Sequence, residues 1–233
     1  MSVSVVIDSF RFAAAAEPTV PVVAASALTE NATSATTHAI NIPAVLAGDL
    51  ILILANGAAS AAYTMTVPTG YDSLYDQANG NLRGRGFRRA APSDAAATTV
   101  NVTLSAGQRL SAIALAIRGY DTDVAIADAI AVATAATGNS ASPNPPSVTM
   151  PWGTDAPSLI IPVAHSAAGG SISYPSSYTD GLTVYTGVSN NFHARTSTAE
   201  REVEASSEDP GTFGLGGTFL WVAQTIAVKG GVA

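Results

Sequence analysis

Short apolar runs, each closed by Pro, Gly or Asp, recur along the chain and predict strands separated by turns. Ser2 to Phe12 alternates loosely through Val3, Val5, Ile7, Phe10 and Phe12, reading as one extended strand. An Ala-rich linker with two prolines follows, to Pro21. Thr36–Ile42 alternates, and Leu50–Leu54 is a continuous apolar run of the kind a buried central strand has. Tyr63–Val67 alternates before the Pro68-Thr69-Gly70 turn. Arg83–Arg89, Thr98–Leu104 and Leu110–Ile117 are further strand candidates. Beyond them, strands are predicted near Ser147–Met150, Ser158–Ala164, Leu182–Thr186, Asn191–Thr196 and Thr218–Val228. Ser140–Pro146 reads as loop, and Gly211–Gly217 as a bend or bulge. Val124–Ala136 fits either strand or a short helix, with its repeat partner favouring strand.

The pattern occurs twice. Ile40-Asn41-Ile42-Pro43 returns as Val148-Thr149-Met150-Pro151, and Asp49-Leu50-Ile51-Leu52 as Ser158-Leu159-Ile160-Ile161. Val67 to Tyr71 is echoed by Tyr174 to Tyr178, and Ala114 to Gly119 by Thr225 to Gly230, at offsets of roughly 107 to 111 residues. Roughly twelve to sixteen short strands with regular turns predict an all-β, jelly-roll-like antiparallel sandwich. Residues 22–233 form its single domain, from tandem related halves at about 22–120 and 130–230. Residues 1–21 form an N-terminal arm for anchoring or oligomerisation, the plain alternative being an edge strand of the same domain.

Composition narrows function mainly by exclusion. Charged residues are only 12% of the 233, with a net charge of −7, which opposes generic duplex nucleic-acid binding. Lys229 is the only lysine, and the absence of cysteine removes disulfides, thiol nucleophiles and Cys-ligated zinc. No secretory leader is read at the N-terminus, and no apolar run is long enough for a membrane span. These features predict a soluble protein without membrane insertion.

Candidate chemistry is sparse. His38, His165 and His193 lack metal spacing, and adjacent His165 and Ser166 point to opposite faces of a strand. Asp121, Asp123 and Asp128 lack the glycine and distal glutamate of a calcium loop. Glu200, Glu202, Glu204, Glu208 and Asp209 read as a solvated acidic segment. No catalytic residue, cofactor or metal is predicted. Arg83-Gly84-Arg85-Gly86-Phe87-Arg88-Arg89 is the one basic cluster; Ser189–Arg195 is taken as its repeat counterpart. Arg83, Arg85, Arg88 and Arg89 are candidate assembly contacts, expected to meet the Glu200–Asp209 segment within the chain or in a neighbouring copy. Tyr71, Tyr75, Trp152, Tyr174 and Tyr178 are placed at turns, where they are candidates for stacking on glycan or for plugging the sandwich ends.

Gly48-Asp49-Leu50-Ile51, Pro68-Thr69-Gly70-Tyr71, Arg88-Arg89-Ala90-Ala91-Pro92 and Ile117-Arg118-Gly119-Tyr120 resemble a β-sandwich domain of tailed-phage, prophage and gene-transfer-agent virion proteins. Pro157-Ser158 replaces Gly-Asp in the second half, and Tyr71 stands where that family more often has tryptophan. The resemblance implies a non-enzymatic head-spike, fibre, decoration or tail protein. Its partners would be other virion proteins through the arm, copies of itself, and cell-surface polysaccharide. Its location would be the virion, assembled in host cytoplasm. A free-standing carbohydrate-binding module and a glycan hydrolase are the rival expectations.

Overall fold

The computed structural model describes residues 17–58, 62–187 and 193–231. The predicted arm positions Val3, Val5, Ile7, Phe10 and Phe12 lie outside the described residues. Within them the chain is all-β and forms an antiparallel sandwich. The first half supplies β1 (Val22–Ile42), β2 (Leu50–Ala58), β3 (Asp72–Asn79), β4 (Leu82–Ala90) and β5 (Thr98–Arg118), paired in the order β1-β5-β2-β4-β3. The second half supplies β6 (Ile130–Val132), β7 (Ala136–Ser140), β8 (Val148–Thr149), β9 (Ser158–Ser166), β10 (Ile172–Ser173), β11 (Thr179–Tyr185), β12 (Arg195–Val203), β13 (Ser207–Glu208), β14 (Gly214–Leu215) and β15 (Phe219–Lys229). Its main sheet runs β11-β12-β9-β15-β6, with β7 also on β15.

The central strands β2 and β9 are buried along their whole length because both their faces are covered. Leu50, Leu52 and Leu54 of β2 meet Leu159, Ile161 and Val163 of β9 and Ile226 and Val228 of β15 across the seam between the sheets. Ile51 and Ile53, on the other face of β2, pack under Ile40, Ile42, Val102 and Leu104. That outer cover is the β1–β5 ribbon itself. Its register shifts between Asn31 and Thr37, and its distal limb folds back over the sheet it belongs to. Asn41 ties the limbs: its backbone N–H donates to Thr29 Oγ1 (2.8 Å) and its Nδ2 to the Leu28 carbonyl (2.9 Å).

The two halves share register as well as sequence. Leu50 lies opposite Ile117 and Leu159 opposite Val228; Ile51 lies opposite Arg89 and Ile160 opposite Arg201. The Pro68–Tyr71 and Pro175–Tyr178 turns each close with a Tyr N–H donating to the proline carbonyl. Their third residues, Gly70 and Ser177, both have positive φ (82° and 69°), a conformation costly for serine and free for glycine.

Several strand boundaries differ from the sequence reading. Thr98–Leu104 and Leu110–Ile117 fuse into β5, and Thr36–Ile42 extends back to Val22 in β1. Tyr63–Val67 is reduced to a bridge between Met65 and Leu104, since its backbone bonds run to the distal limb of β5. Asp72–Asn79 is a strand where none was expected. Val124–Ala136 gives turns, then β6 and the first residue of β7; among the described residues there is no helix. Most consequential, the counterpart of β4 is β12: Arg83 aligns with Arg195 and Arg89 with Arg201, rather than Arg83–Arg89 with Ser189–Arg195.

Candidate functional site

The Arg/Gly cluster divides by strand alternation. Arg83 and Arg85 take one face and Gly84 and Gly86 the other, toward the seam. Arg83 forks onto Asp76 of β3 (Nε–Oδ1 2.6 Å, Nη2–Oδ2 2.7 Å) and Arg85 reaches the same carboxylate at 3.5 Å. Asp76, and not the Glu200–Asp209 segment, is thus their partner within the chain. Arg85 also lies 5.3 Å from the centroid of buried Phe87. The glycines leave room for two rings. A Cβ on Gly84 would fall 2.3 Å from His165 Cδ2, and one on Gly86 2.4 Å from Tyr75 Cε1.

Those rings belong to a polar network buried in the seam. The Tyr75 hydroxyl meets His165 Nε2 at 2.7 Å, and His165 Nδ1 lies 3.3 Å from Thr196 Oγ1. Thr196 in turn contacts Ser111 Oγ at 3.1 Å. Asn56, which holds in β2 the position His165 holds in β9, donates to the Ser166 and Arg195 carbonyls (3.1 and 2.7 Å). A neutral imidazole that accepts at Nε2 and donates at Nδ1 satisfies both contacts. Burial pushes its pKa down to about 3, so it stays uncharged. This arrangement clasps the sheets and offers no exposed base or nucleophile. Tyr75 is therefore removed from the glycan candidates: it is in strand β3, 9% exposed and sealed against His165.

The other aromatic candidates are scattered. Trp152 is half-buried and donates Nε1–H to Ser158 Oγ (2.8 Å), on the outer cluster it shares with Tyr178. Tyr174 lies edge-on to Phe213 at 6.1 Å. Tyr71 sits in the first half beneath Arg89, with Arg Cζ 5.7 Å from its ring centroid. Tyr178 is likewise under Arg201, at 5.9 Å, and donates its hydroxyl to Glu208. These aromatics supply no shared stacking platform, although each half repeats an arginine over a tyrosine. Arg88, the remaining cluster member, lies opposite Leu52 and Asp72 in the ladders.

Two features were not anticipated. Arg195 is fully buried, donates to the Gly170 and Ser171 carbonyls, and stacks 5.0 Å from the Tyr185 centroid, with no carboxylate partner among the described residues. Burial lowers its pKa. Its equivalence to Arg83 was hidden by the misplaced repeat alignment. The second feature is a groove of about 270 Å³ between the start of β1 and the β11–β12 edge, lined by Val22, Leu159, Asp180, Glu200, Arg201 and Glu202. Burial, with Asp180 and Glu202 nearby, pushes the Glu200 carboxyl up to about 7. Asp180 itself has φ +50°, at the register shift of β11.

Two further carboxylates are held structurally. Asp121 accepts from Lys229 Nζ (2.7 Å) and from the Asp123 N–H, which hold its carboxyl below the usual range. Asp49 is buried and bidentately bound by Arg118 (2.9 and 3.0 Å). In the second half Ser158 and Lys229 stand at those two positions, so that ion pair is not repeated. Among the described residues no group of three His, Asp or Glu side chains could hold a metal ion, and no helix is long and apolar enough to cross a membrane. Comparison with protein-family models, curated proteins and solved structures returns no match.

Proposed function

We propose that the chain is a non-enzymatic structural protein of a tailed-phage or phage-like particle, with the sandwich as its exposed module and residues 1–21 as its attachment arm. The observation that carries this reading is the use the fold makes of the motifs that resemble virion sandwiches. Asp49 of Gly48-Asp49-Leu50 and Arg118 of Arg118-Gly119 are one ion pair. Gly48, Gly70 and Gly119 all have φ near +80°, closing turns beside the central strands. The resembling residues thus build scaffold, as a particle component requires.

The groove at Glu200 favours a second reading, a glycan hydrolase, because a carboxyl whose pKa is raised to about 7, with the Asp180 and Glu202 side chains beside it, suits general acid catalysis. It stays second because about 270 Å³ is small for a ligand site. The leading proposal is tested on particles purified from the producing strain. Full-length protein is expected in them, and a variant lacking residues 1–17 is expected to fold yet be missing. Full-length protein absent from particles would overturn the virion assignment, and incorporation of the truncated variant would overturn the arm's role.

A further inference from the structure

The repeat places the same arginine–tyrosine pair in both halves, and among the described residues only one of them holds a carboxylate. In the second half, Glu208 Oε1 accepts from Arg201 Nη1 at 2.8 Å and from the Tyr178 hydroxyl at 3.0 Å. Glu208 is delivered by β13, where it lies opposite Val148 of β8. In the first half the residue corresponding to Val148 is Ile40, and opposite it stands Val100. Among the described residues no carboxylate is therefore brought to Arg89 and Tyr71. Among the described residues Arg89 makes no ion pair, and neither side chain has a hydrogen-bond partner.

Arg89 and Tyr71 instead line an open cleft of about 150 Å³, walled by Ile42, Pro43, Val45 and Ala91 with Ser93 and Thr98 at its polar margin. Burial raises the Tyr71 pKa although Arg89 opposes the shift, so the hydroxyl remains a donor at neutral pH. The guanidinium is permanently charged.

We propose that Arg89 and Tyr71 form a binding site for a glutamate side chain of another polypeptide, held as Glu208 is held by Arg201 and Tyr178. Two charge-assisted hydrogen bonds would fix the carboxylate, and the aliphatic stem would lie against the Pro/Ile/Val wall. A peptide-borne glutamate fits better than an acidic sugar. A pyranose ring needs several hydrogen-bonding groups around it, and beyond Arg89 and Tyr71 the lining side chains supply only Ser93 and Thr98. The volume suits one side chain. The occupied half also shows the carboxylate presented by an extended strand. This site does not depend on the virion reading, since any partner with an exposed glutamate on an extended segment would suit it.

Amide NMR titration of the full chain tests the site, using an acetylated, amidated peptide with the sequence of residues 203–209, the same peptide with Gln in place of Glu208, and glucuronate. Saturable, salt-sensitive shifts are expected at Tyr71, Arg89 and residues 91–98 with the first peptide. Weakening by at least about tenfold is expected with the Gln peptide and with Arg89→Gln. Val100→Glu supplies a carboxylate at the position corresponding to Glu208, and is expected to fold and to abolish peptide binding. It and Tyr71→Phe serve if Arg89→Gln does not fold. Absence of saturable shifts at these residues, or equal binding of the two peptides, would overturn the site. Binding of glucuronate there without the peptide would overturn the assignment to a polypeptide.

Discussion

At the scale of single residues, the Arg83–Arg89 segment shows how little a motif's composition says about its use. Its Arg83 and Arg85 are held by one aspartate, and its glycines are vacancies cut to the outline of two rings from other strands. Gly84→Ala and Gly86→Ala should each cost about 1–3 kcal/mol, because the added methyl meets His165 or Tyr75 in a seam with no room to yield. Urea unfolding of each variant checks this; losses below about 0.5 kcal/mol, the usual range of surface substitutions, would show that the rings relax freely. The alternation was legible as a strand. Its purpose was not, because His165 and Tyr75 lie 90 residues apart and their pairing is a property of the packed sheets. Tyr75 was misread as a turn residue for a related reason: β3 is polar along its length, with only this one residue fully committed to the core. The match of Tyr71 with Tyr178 was legible, but the arginine over each was missed once Ser189–Arg195, rather than β12, was taken as the counterpart of Arg83–Arg89.

At the scale of elements, β9 and β12 place two groups that titrate with opposite effects on stability. The unfolded chain takes up a proton on His165 near the ordinary value of 6.5, while the buried ring does so only near 3. Its contribution is therefore complete above 6.5. It falls by about 1.4 kcal/mol per pH unit as pH drops between those values. Glu200 on β12 has a folded pKa raised from 4.5 to about 7, so its contribution is complete below 4.5 and is lost as pH rises through 7. Half-exposure and solvent screening limit that loss to about 1 kcal/mol. The charged and titratable neighbours that line its groove are Asp180, Glu202 and Arg201, and the Arg201 guanidinium is already bound to Glu208. Melting curves at pH 5 and pH 8 should show Glu200→Gln losing less stability at the higher pH than the parent chain. An unchanged difference between the two pH values would mean that Glu200 ionises freely in the folded protein. Continuous apolar runs made β2 and β9 readable, yet neither the groove nor this acid was, since both depend on where β1 begins relative to a sheet from the other half.

At the scale of the whole molecule, duplication raises the question whether each half is a folding unit. The seam answers it through the side chains it hides. Leu50, Leu52, Leu54, Ile113, Leu115 and Ile117 leave water only by meeting the second sheet. Exposing each costs roughly 1.5–3 kcal/mol, together on the order of the entire 5–15 kcal/mol stability of a domain. Asn56 would also lose both its carbonyl partners, which lie in the other half. Each half does own an outer cluster, and the distal limb of the β1–β5 ribbon gives the first half a second layer, so local structure in isolation is not forbidden. The balance favours dependence, because the seam-facing rows run through the central strands and the outer clusters cover only their other side. Residues 17–121 expressed alone should therefore appear as aggregate or as a dimer that pairs its own seam face. Co-expression with residues 122–233 should recover a one-to-one complex by size-exclusion chromatography with light scattering. A cooperative, monomeric first half would instead mean that the outer layer suffices, and that the seam is an interface between two finished domains.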